Sequence, residues 1–393
     1  MKYIFLFCSL LFIETISIAQ VAIPNVEVIG RLNIISQLAD SSMYIGINAG
    51  LNDDRTDNEN LFIGILTGVQ NTIGNDNVFI GMQSGFANIS GSDNTFLGRS
   101  SGPGNTTGND NTFLGRSSGR DNTIGNANTF LGRSAGLSNI GGNDNVFIGR
   151  STGSANTNGH NNTFLGRSAG LINTIGDDNC FVGRWAGVRH KIGDNNTFVG
   201  ESAGKTDSLG TNNTVIGADA DVLNFNLTNS TALGYLATAT ASNQVIIGNA
   251  SVTQISGHVN WSTYSDGRYK LDIQEDVPGL EFINNLRPVT YIFDRKAIHN
   301  QLHPNKTEVV VTNKKHKETG FIAQEVEALC AKIGYDFDGV IKPQSENDHY
   351  KLAYAEFVVP LTKAIQEQQV MILEMQKQIT SLKQEIIELM NKK

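Results

Sequence analysis

Short apolar segments alternate with turns rich in Gly, Asn and Asp through most of the chain, and they recur at a fixed interval. The segment Asn-Val-Phe-Ile-Gly at Asn77 returns as Asn-Thr-Phe-Leu-Gly at Asn94 and again at Asn111. The glycine that ends the segment recurs every 17 residues from Gly64 to Gly234. A fixed period of this kind indicates a repeat architecture, in which each unit packs only against its neighbours.

Each 17-residue unit contains two strand-like pieces, Thr-Phe-Leu-Gly and Asn-Thr-Ile-Gly, with turns between them. The Gly, Asn and Asp of the turns tolerate positive φ, so the same turn can return in every unit. Neither piece can bury its Phe or Ile alone, whereas stacked units can bury both. The pattern predicts a mainly β protein with a parallel β-solenoid body, one coil per unit, on the order of 50 Å long. An array of separate hairpins is the competing interpretation, and the nonapeptide spacing of a calcium-binding β-roll is absent.

The end of the repeat region resembles the head repeats of trimeric autotransporter adhesins. From Ser230 to Asn249 the chain steps from Gly234 to Gly248 by 14 residues, which is the usual period of those heads. The resemblance implies a homotrimer in which three coiled chains pack about a common axis. The membrane-anchor barrel of those adhesins has no counterpart, because nothing after Asn249 alternates as membrane strands do.

A different periodicity governs the C-terminal segment, where apolar residues recur at alternating steps of four and three. This is the heptad pattern of a coiled coil, and a single amphipathic helix packed on a globular core is the competing interpretation. The predicted seam consists of Leu361, Ile365, Gln368, Ile372, Met375, Ile379, Leu382, Ile386 and Leu389. Ile at one core position with Leu at the other favours two chains, whereas the adhesin resemblance implies three, so the number of chains stays open.

The first residues have the pattern of a secretory signal peptide. A lysine precedes a short apolar run, and Ser17-Ile18-Ala19 supplies the small residues for cleavage after Ala19. The run is interrupted by Glu14 and is too short for a permanent membrane span. A buried first strand is the alternative interpretation. The pattern predicts an exported protein that is secreted or held at the cell surface, without a transmembrane span.

Composition and charge exclude several classes of protein. The chain has 41 glycines, 7 prolines and only 17% charged residues, which suits many short strands and tight turns better than a helical or doubly wound enzyme. A net charge of −8 argues against a nucleic-acid partner. Beyond the signal peptide only Cys180 and Cys330 remain, too few for a disulfide framework. The histidines show no metal-ligand spacing, so we expect no metal site and no cofactor.

Four sequence blocks follow in order between the repeats and the end of the chain. They are Tyr264–Lys270, Leu280–Phe293, Gly320–Leu329 and Tyr350–Gln368. In this order they resemble the intramolecular chaperone domain of phage endosialidases and tail fibres, the peptidase S74 family, over roughly residues 261–393. The resemblance implies a small α+β domain that directs trimer assembly and is then released by self-cleavage.

In that family the Ser-Asp-x-Arg-x-Lys element carries a serine–lysine dyad. The resemblance therefore implies Ser265 as the nucleophile and Lys270 as the general base, with scission of the Tyr264–Ser265 bond beside Asp266 and Arg268. The base must be a neutral amine, which burial or a nearby positive charge such as Arg268 favours. A Ser and a Lys five residues apart do not share a face of a regular helix or strand. Either the Asp-Gly pair turns the chain, or the two partners come from different subunits.

These features together predict a secreted or cell-surface homotrimeric fibre, similar to an adhesin, whose chaperone domain cleaves itself once and turns over no external substrate. Long-range β pairing in one register is slow, so a module that holds three chains together aids folding. The alternative is a phage-derived tail fibre or glycan depolymerase with its own glycan-cleaving site. The scarcity of acidic pairs outside the turns argues against that alternative.

One arginine recurs in each of six successive units. The row is Arg99, Arg116, Arg133, Arg150, Arg167 and Arg184. We interpret it as a solvated surface row, and a functional role would be the binding of an acidic glycan or cell-surface polymer.

The predicted organisation is a signal peptide at 1–19, an N-terminal segment at 20–60, the solenoid at 61–250, a linker and cleavage region at 251–264, the chaperone domain at 265–360 and the coiled coil at 361–393.

Overall fold

The computed structural model describes residues 41–54, 58–304, 306, 311, 313 and 317–391. Residues 43–247 wind into coils whose short strands pair in one parallel sheet of thirteen strands, stacked in chain order. Its strands are β1 (Met43–Ile45), β2 (Leu61–Ile63), β3 (Val78–Ile80), β4 (Thr95–Leu97), β5 (Thr112–Leu114), β6 (Thr129–Leu131), β7 (Val146–Ile148), β8 (Thr163–Leu165), β9 (Cys180–Val182), β10 (Thr197–Val199), β11 (Thr214–Ile216), β13 (Thr231–Leu233) and β15 (Val245–Ile247). Beside the last coils, β12 (Asp221–Val222) pairs with β14 (Thr238–Ala239).

The strand register follows the sequence period. Phe96 lies opposite Phe113, one unit later, and the last step shortens so that Thr231 lies opposite Val245. The predicted parallel β-solenoid is therefore confirmed. It also begins earlier than the visible repeats, because Met43 pairs with Leu61. At the usual strand spacing the sheet is about 58 Å long.

A single column of phenylalanines fills the solenoid interior. Successive rings are nearly parallel, with centroids 4.7 to 4.9 Å apart, which is also the spacing of hydrogen-bonded strands. The column consists of Phe62, Phe79, Phe96, Phe113, Phe130, Phe147, Phe164, Phe181 and Phe198, all fully buried. The period of the backbone thus imposes the ring stack, and the stack buries a large apolar area in every coil.

The second predicted strand-like piece is a bend instead of a strand, and its isoleucines face solvent. Ile73, Ile124 and Ile175 are 61%, 56% and 52% exposed. The expectation that stacking buries both Phe and Ile was therefore wrong for the Ile. The inward position of this bend is an asparagine from Asn71 to Asn173, whose side chain both donates and accepts and so bonds the turn carbonyl and the neighbouring coil. His190 and Asp207 take the same buried position in the next two coils.

Two ladders of buried asparagines connect the coils. In the first, Asn105 Nδ2 donates to Asn88 Oδ1 at 2.8 Å and to the Gly108 carbonyl at 2.9 Å. In the second, Asn111 Nδ2 donates to Asn94 Oδ1 at 3.1 Å, and the same pattern recurs one unit later. Buried turn groups are costly unless paired, so these side chains let a glycine-rich chain close each coil.

A small α/β region follows the solenoid. Its elements are α1 (Leu280–Ile283), β16 (Val289–Tyr291), α2 (Arg295–Leu302), β17 (Glu318–Gly320), α3 (Ala323–Ile333), β18 (Val340–Ile341), β19 (Lys351–Leu352) and α4 (Val358–Asn391). The antiparallel pairs β16–β17 and β18–β19 flank a core made of Phe282, Val326, Cys330, Phe337 and Phe357. The prediction of a small domain that combines helices and strands is confirmed.

The long helix α4 carries the predicted heptad pattern. Its first turns pack on α1, where the Leu280 amide donates to Glu367 Oε2 at 2.7 Å, and of its residues only Pro360 and Ala364 are buried. The residues of the predicted seam are exposed in this single chain, so the coiled coil stays a prediction. Within the described ranges, no helix is both long and apolar enough to cross a membrane. The predicted signal peptide lies outside the described residues.

The α/β region contacts the last coils of the solenoid. Thr240 Oγ1 donates to Asp348 Oδ1 at 2.7 Å, and Lys306 Nζ donates to Asp219 Oδ2 at 2.6 Å. Although burial works against it, hydrogen bonds from Lys306 and Lys205 lower the pKa of Asp219. These contacts hold the end of the solenoid against the module that follows it.

Candidate self-cleavage site

The predicted dyad lies in an exposed stretch between the solenoid and α1. Every residue from 251 to 276 is exposed. Within this stretch Lys270 Nζ donates a hydrogen bond to Ser265 Oγ at 2.9 Å. This distance is suitable for proton transfer between a serine hydroxyl and a lysine amine.

A tight turn brings the two side chains together. The Asp266 carboxylate accepts the Arg268 amide at 2.9 Å and so caps a single 3-10 turn, Gly267–Tyr269. The Lys270 amide then donates to the Gly267 carbonyl at 3.2 Å. This turn within one chain is one of the two arrangements that the sequence left open, and a pair shared by two subunits stays the alternative.

Arg268 acts on Asp266 in this turn. Its guanidinium forms an ion pair with Asp266 at 2.6 Å, and this hydrogen bond lowers the pKa of the carboxyl. The guanidinium also lies over the Tyr269 ring, 5.7 Å from its centroid. Its charge is thus balanced locally, and Arg268 serves to fix the turn.

Large apolar side chains flank the dyad along the chain and are exposed to solvent. Trp261 is 87% exposed, Tyr264 is fully exposed and Leu271 is 86% exposed. Exposed apolar groups at this density are typical of a surface that another molecule covers. In the single chain the dyad is therefore open to water, and the burial expected for a neutral lysine is absent.

A second feature of this part of the molecule is a cleft of about 860 Å³ between the last coils and the α/β region. Arg295 extends along it and donates to the Val252 carbonyl at 2.9 Å. His299 lies almost fully buried in its wall, and its Nε2 has no hydrogen-bond partner among the described residues. Burial, followed by the charges of His299 and Lys205, lowers the pKa of His303 to about 4. Sequence reasoning missed this cleft, because it forms only where two separate parts of the chain meet.

The described residues contain no candidate metal site. Within the part of the chain that the structure describes, no group of three or more His, Cys, Asp or Glu side chains could hold a metal ion.

The order of these parts defines a class of protein, a repeat body followed by a C-terminal module with a Ser–Lys pair at the junction. Residues 265–335 match the family model described as chaperone of endosialidase, the peptidase S74 family. The resemblance predicted for this segment is confirmed, and the match begins at Ser265 itself. It covers a minor part of the chain and identifies that segment alone. No curated protein and no solved structure was found to match the chain.

Proposed function

We propose that this protein is a secreted or cell-surface homotrimeric fibre whose C-terminal chaperone domain aligns three chains and is then released by autoproteolysis at Ser265. The observation that carries the proposal is the family match starting at Ser265, beside a Lys270 amine 2.9 Å from the serine hydroxyl. Export rests on the sequence pattern of the first 19 residues.

The proposed cleavage needs one water and no cofactor. Neutral Lys270 removes the proton from Ser265 Oγ, which attacks the carbonyl carbon of Tyr264. The Tyr264–Ser265 C–N bond breaks as the proton passes to the Ser265 nitrogen, and an ester links Tyr264 to Ser265 Oγ. Water hydrolyses the ester, so that Tyr264 ends as a carboxylate and the serine hydroxyl is restored. The released fragment begins at Ser265, and each chain is cut once.

Assembly switches the reaction on in this proposal. The single chain leaves both dyad side chains exposed, together with Trp261 and Tyr264. Packing of other copies against this stretch removes water, which favours the neutral amine and strengthens the interactions of the dyad. Cleavage then follows trimerisation, so the chaperone domain is released only after the three chains have assembled.

Helix α4 supplies the means of alignment. Its heptad seam is exposed along almost its whole length, and three such helices bury it by packing side by side. Three chains held at this end have a high effective concentration for one another. The solenoid coils then stack from a common starting point, which suits a body rich in long-range parallel pairing.

The test compares the wild-type full chain with Ser265→Ala and Lys270→Ala after folding, by denaturing and native mass measurement. Ser262→Ala is the matched control, because Ser262 is an exposed serine on the same stretch. We expect the wild type and the control to give a fragment of residues 265–393 and a trimeric body ending at Tyr264, and both dyad variants to stay intact. Uncut wild-type chains contradict the protease, and a monomeric body contradicts the assembly role.

A further inference from the structure

The outward face of the thirteen-stranded sheet has a regular arrangement of side chains. In the coil of β4, Asp93, Thr95, Leu97 and Arg99 are all exposed, whereas Phe96 between them is buried. The same alternation recurs along the solenoid. The face therefore consists of four columns, which we name the acidic, threonine, aliphatic and arginine columns after these residues.

The aliphatic column is continuous from the first strand to the last. Its most exposed members, between 37% and 47% exposed, are Ile45, Leu97, Leu114, Leu131, Leu165, Ile216, Leu233 and Ile247. The remaining strands place Ile or Val at the same position. An apolar row along the whole solenoid is larger than a monomer normally leaves in water.

The charged columns border the face on its two sides. The arginine column is Arg99, Arg116, Arg133, Arg150, Arg167 and Arg184, and the acidic column is Glu59, Asp76, Asp93, Asp110, Asp144 and Asp178, all exposed. Ala127 and Asn161 occupy the acidic position in two of the coils that carry an arginine, so four of those six coils carry both charges. The two columns end in the same coil, at Asp178 and Arg184. Among the described residues the arginine column makes one ion pair, from Arg184 to Glu201.

The two charged columns cannot neutralise each other within one chain. In each coil the acidic and arginine positions are separated by a strand crossing on the order of 20 Å, well beyond the reach of an arginine side chain. Arginines of neighbouring coils lie about 4.8 Å apart along the sheet, where like charges repel. A second copy of the chain carries opposite charges with the same spacing.

We infer that this face is the interface between copies of the chain, which lie parallel and in register, with the arginine column of each copy against the acidic column of the next. Rotation about an axis parallel to the solenoid brings one edge of each face against the opposite edge of its neighbour, as this pairing requires. An antiparallel arrangement places arginine against arginine. The charges thus favour the parallel over the antiparallel arrangement of the copies. Closed rotational symmetry keeps the copies in register, and their aliphatic columns meet around the symmetry axis. The inference rests on the proposed homotrimer and assigns its contact surface.

The first test is charge reversal in the full chain. Arg116→Glu with Arg150→Glu reverses the charge at two of the six positions of the arginine column. Arg189→Glu with Lys191→Glu makes the same change in net charge at exposed positions off the face. After release of the C-terminal fragment, we expect the column variant to lose the trimeric mass of the body and the control to keep it. Equal masses for the two variants overturn the inference.

The second test is direct and does not depend on how the reversed variant folds. The test variant carries Asp110→Cys and Arg116→Cys, together with Cys180→Ser. It is treated with a short bis-maleimide, which links two nearby cysteines. The control variant carries Asp110→Cys and Arg189→Cys in the same background. We expect covalent trimers from the first pair and only background from the control. A native trimer that links no better than the control overturns the assigned face and leaves the homotrimer standing. An unsubstituted body that is monomeric contradicts the proposed function itself.

Discussion

Successive coils approach each other closely at the glycine that follows each strand, and this contact allows a sharp test. Gly115 has φ +138°, and a Cβ added there lies 2.6 Å from the carbonyl oxygen and 2.7 Å from the carbonyl carbon of Gly132 in the next coil. Both neighbours are backbone atoms, so Gly115→Ala fits only if the two coils move apart. The backbone conformation is also one that L side chains rarely adopt.

The expected cost of Gly115→Ala has two parts. Holding alanine in this region of φ costs about 1–3 kcal/mol. Parting the coils weakens hydrogen bonds such as the one from the Gly132 amide to the Leu114 carbonyl, 2.8 Å long, and each such bond contributes about 1 kcal/mol. We therefore expect a local loss of about 2–5 kcal/mol. Gly141→Ala is the control, because its φ is ordinary and its nearest neighbour is the end of the Asn158 side chain at 3.0 Å; we expect a change within about 1 kcal/mol.

Amide hydrogen exchange is the appropriate assay, because each coil of a solenoid depends mainly on its neighbours. In Gly115→Ala the Gly132 amide should exchange about thirty-fold faster or more, since 1.4 kcal/mol is a tenfold change. Amides around Phe62, several coils away, should be unchanged. Equal protection of the Gly132 amide in the two alanine variants would refute the close-approach argument.

Three further predictions follow from other parts of the structure. Phe130→Ala removes a fully buried ring from the middle of the stack and should cost about 3–5 kcal/mol, measured as a lower denaturant midpoint. Ile386→Glu should abolish association through α4, whereas Ile387→Glu, 51% exposed against 56% for Ile386, should not; native mass decides. Burial lowers the pKa of His303 from 6.5 to about 4. Between these two pH values the imidazole binds a proton when it is free in solvent and does not bind one in the folded protein. Protection of α2 amides should therefore be complete above pH 6.5 and fall towards pH 4, and His303→Gln should remove that loss.

The fold was largely predictable because one strong period runs through the residues themselves. A Phe in the middle of the nine strands from β2 to β10 and a Gly after each strand define the coil, and the structure keeps both roles. The first coil was not predicted from the sequence, because Tyr44 occupies the position that Phe occupies in the next coils. The Tyr44 ring nevertheless packs at the end of the column, 5.6 Å from the ring of Phe62. The Ile of the second piece was misplaced for a physical reason: periodicity shows which residues repeat, and does not show which side of a bend faces inward.

The geometry of the candidate site was less accessible to sequence reasoning. Residue spacing could not decide between a turn in one chain and a pair shared by two chains. The Asp266 carboxylate accepts the Arg268 amide and so supports a turn within one chain, and a pair shared by two subunits stays the alternative. The environment of Lys270 depends on whatever covers residues 251–276, and no local pattern encodes that.

Within the described chain, most of the buried side chains that close the coils are hydrogen-bonded, with Asn173 Oδ1 and His190 Nδ1 as exceptions, whereas three outer surfaces are left uncovered. Asn105 and its equivalents bond within the chain, so a coil needs no second copy for its polar interior. The outward face of the sheet, the stretch around Ser265 and the seam of α4 are exposed in contrast. On the proposed pathway, one assembly event covers all three surfaces, and cleavage at Ser265 then removes the α4 seam. The outward face alone must hold the released body together, which is why its charged columns, and not the helix, decide whether the finished fibre persists.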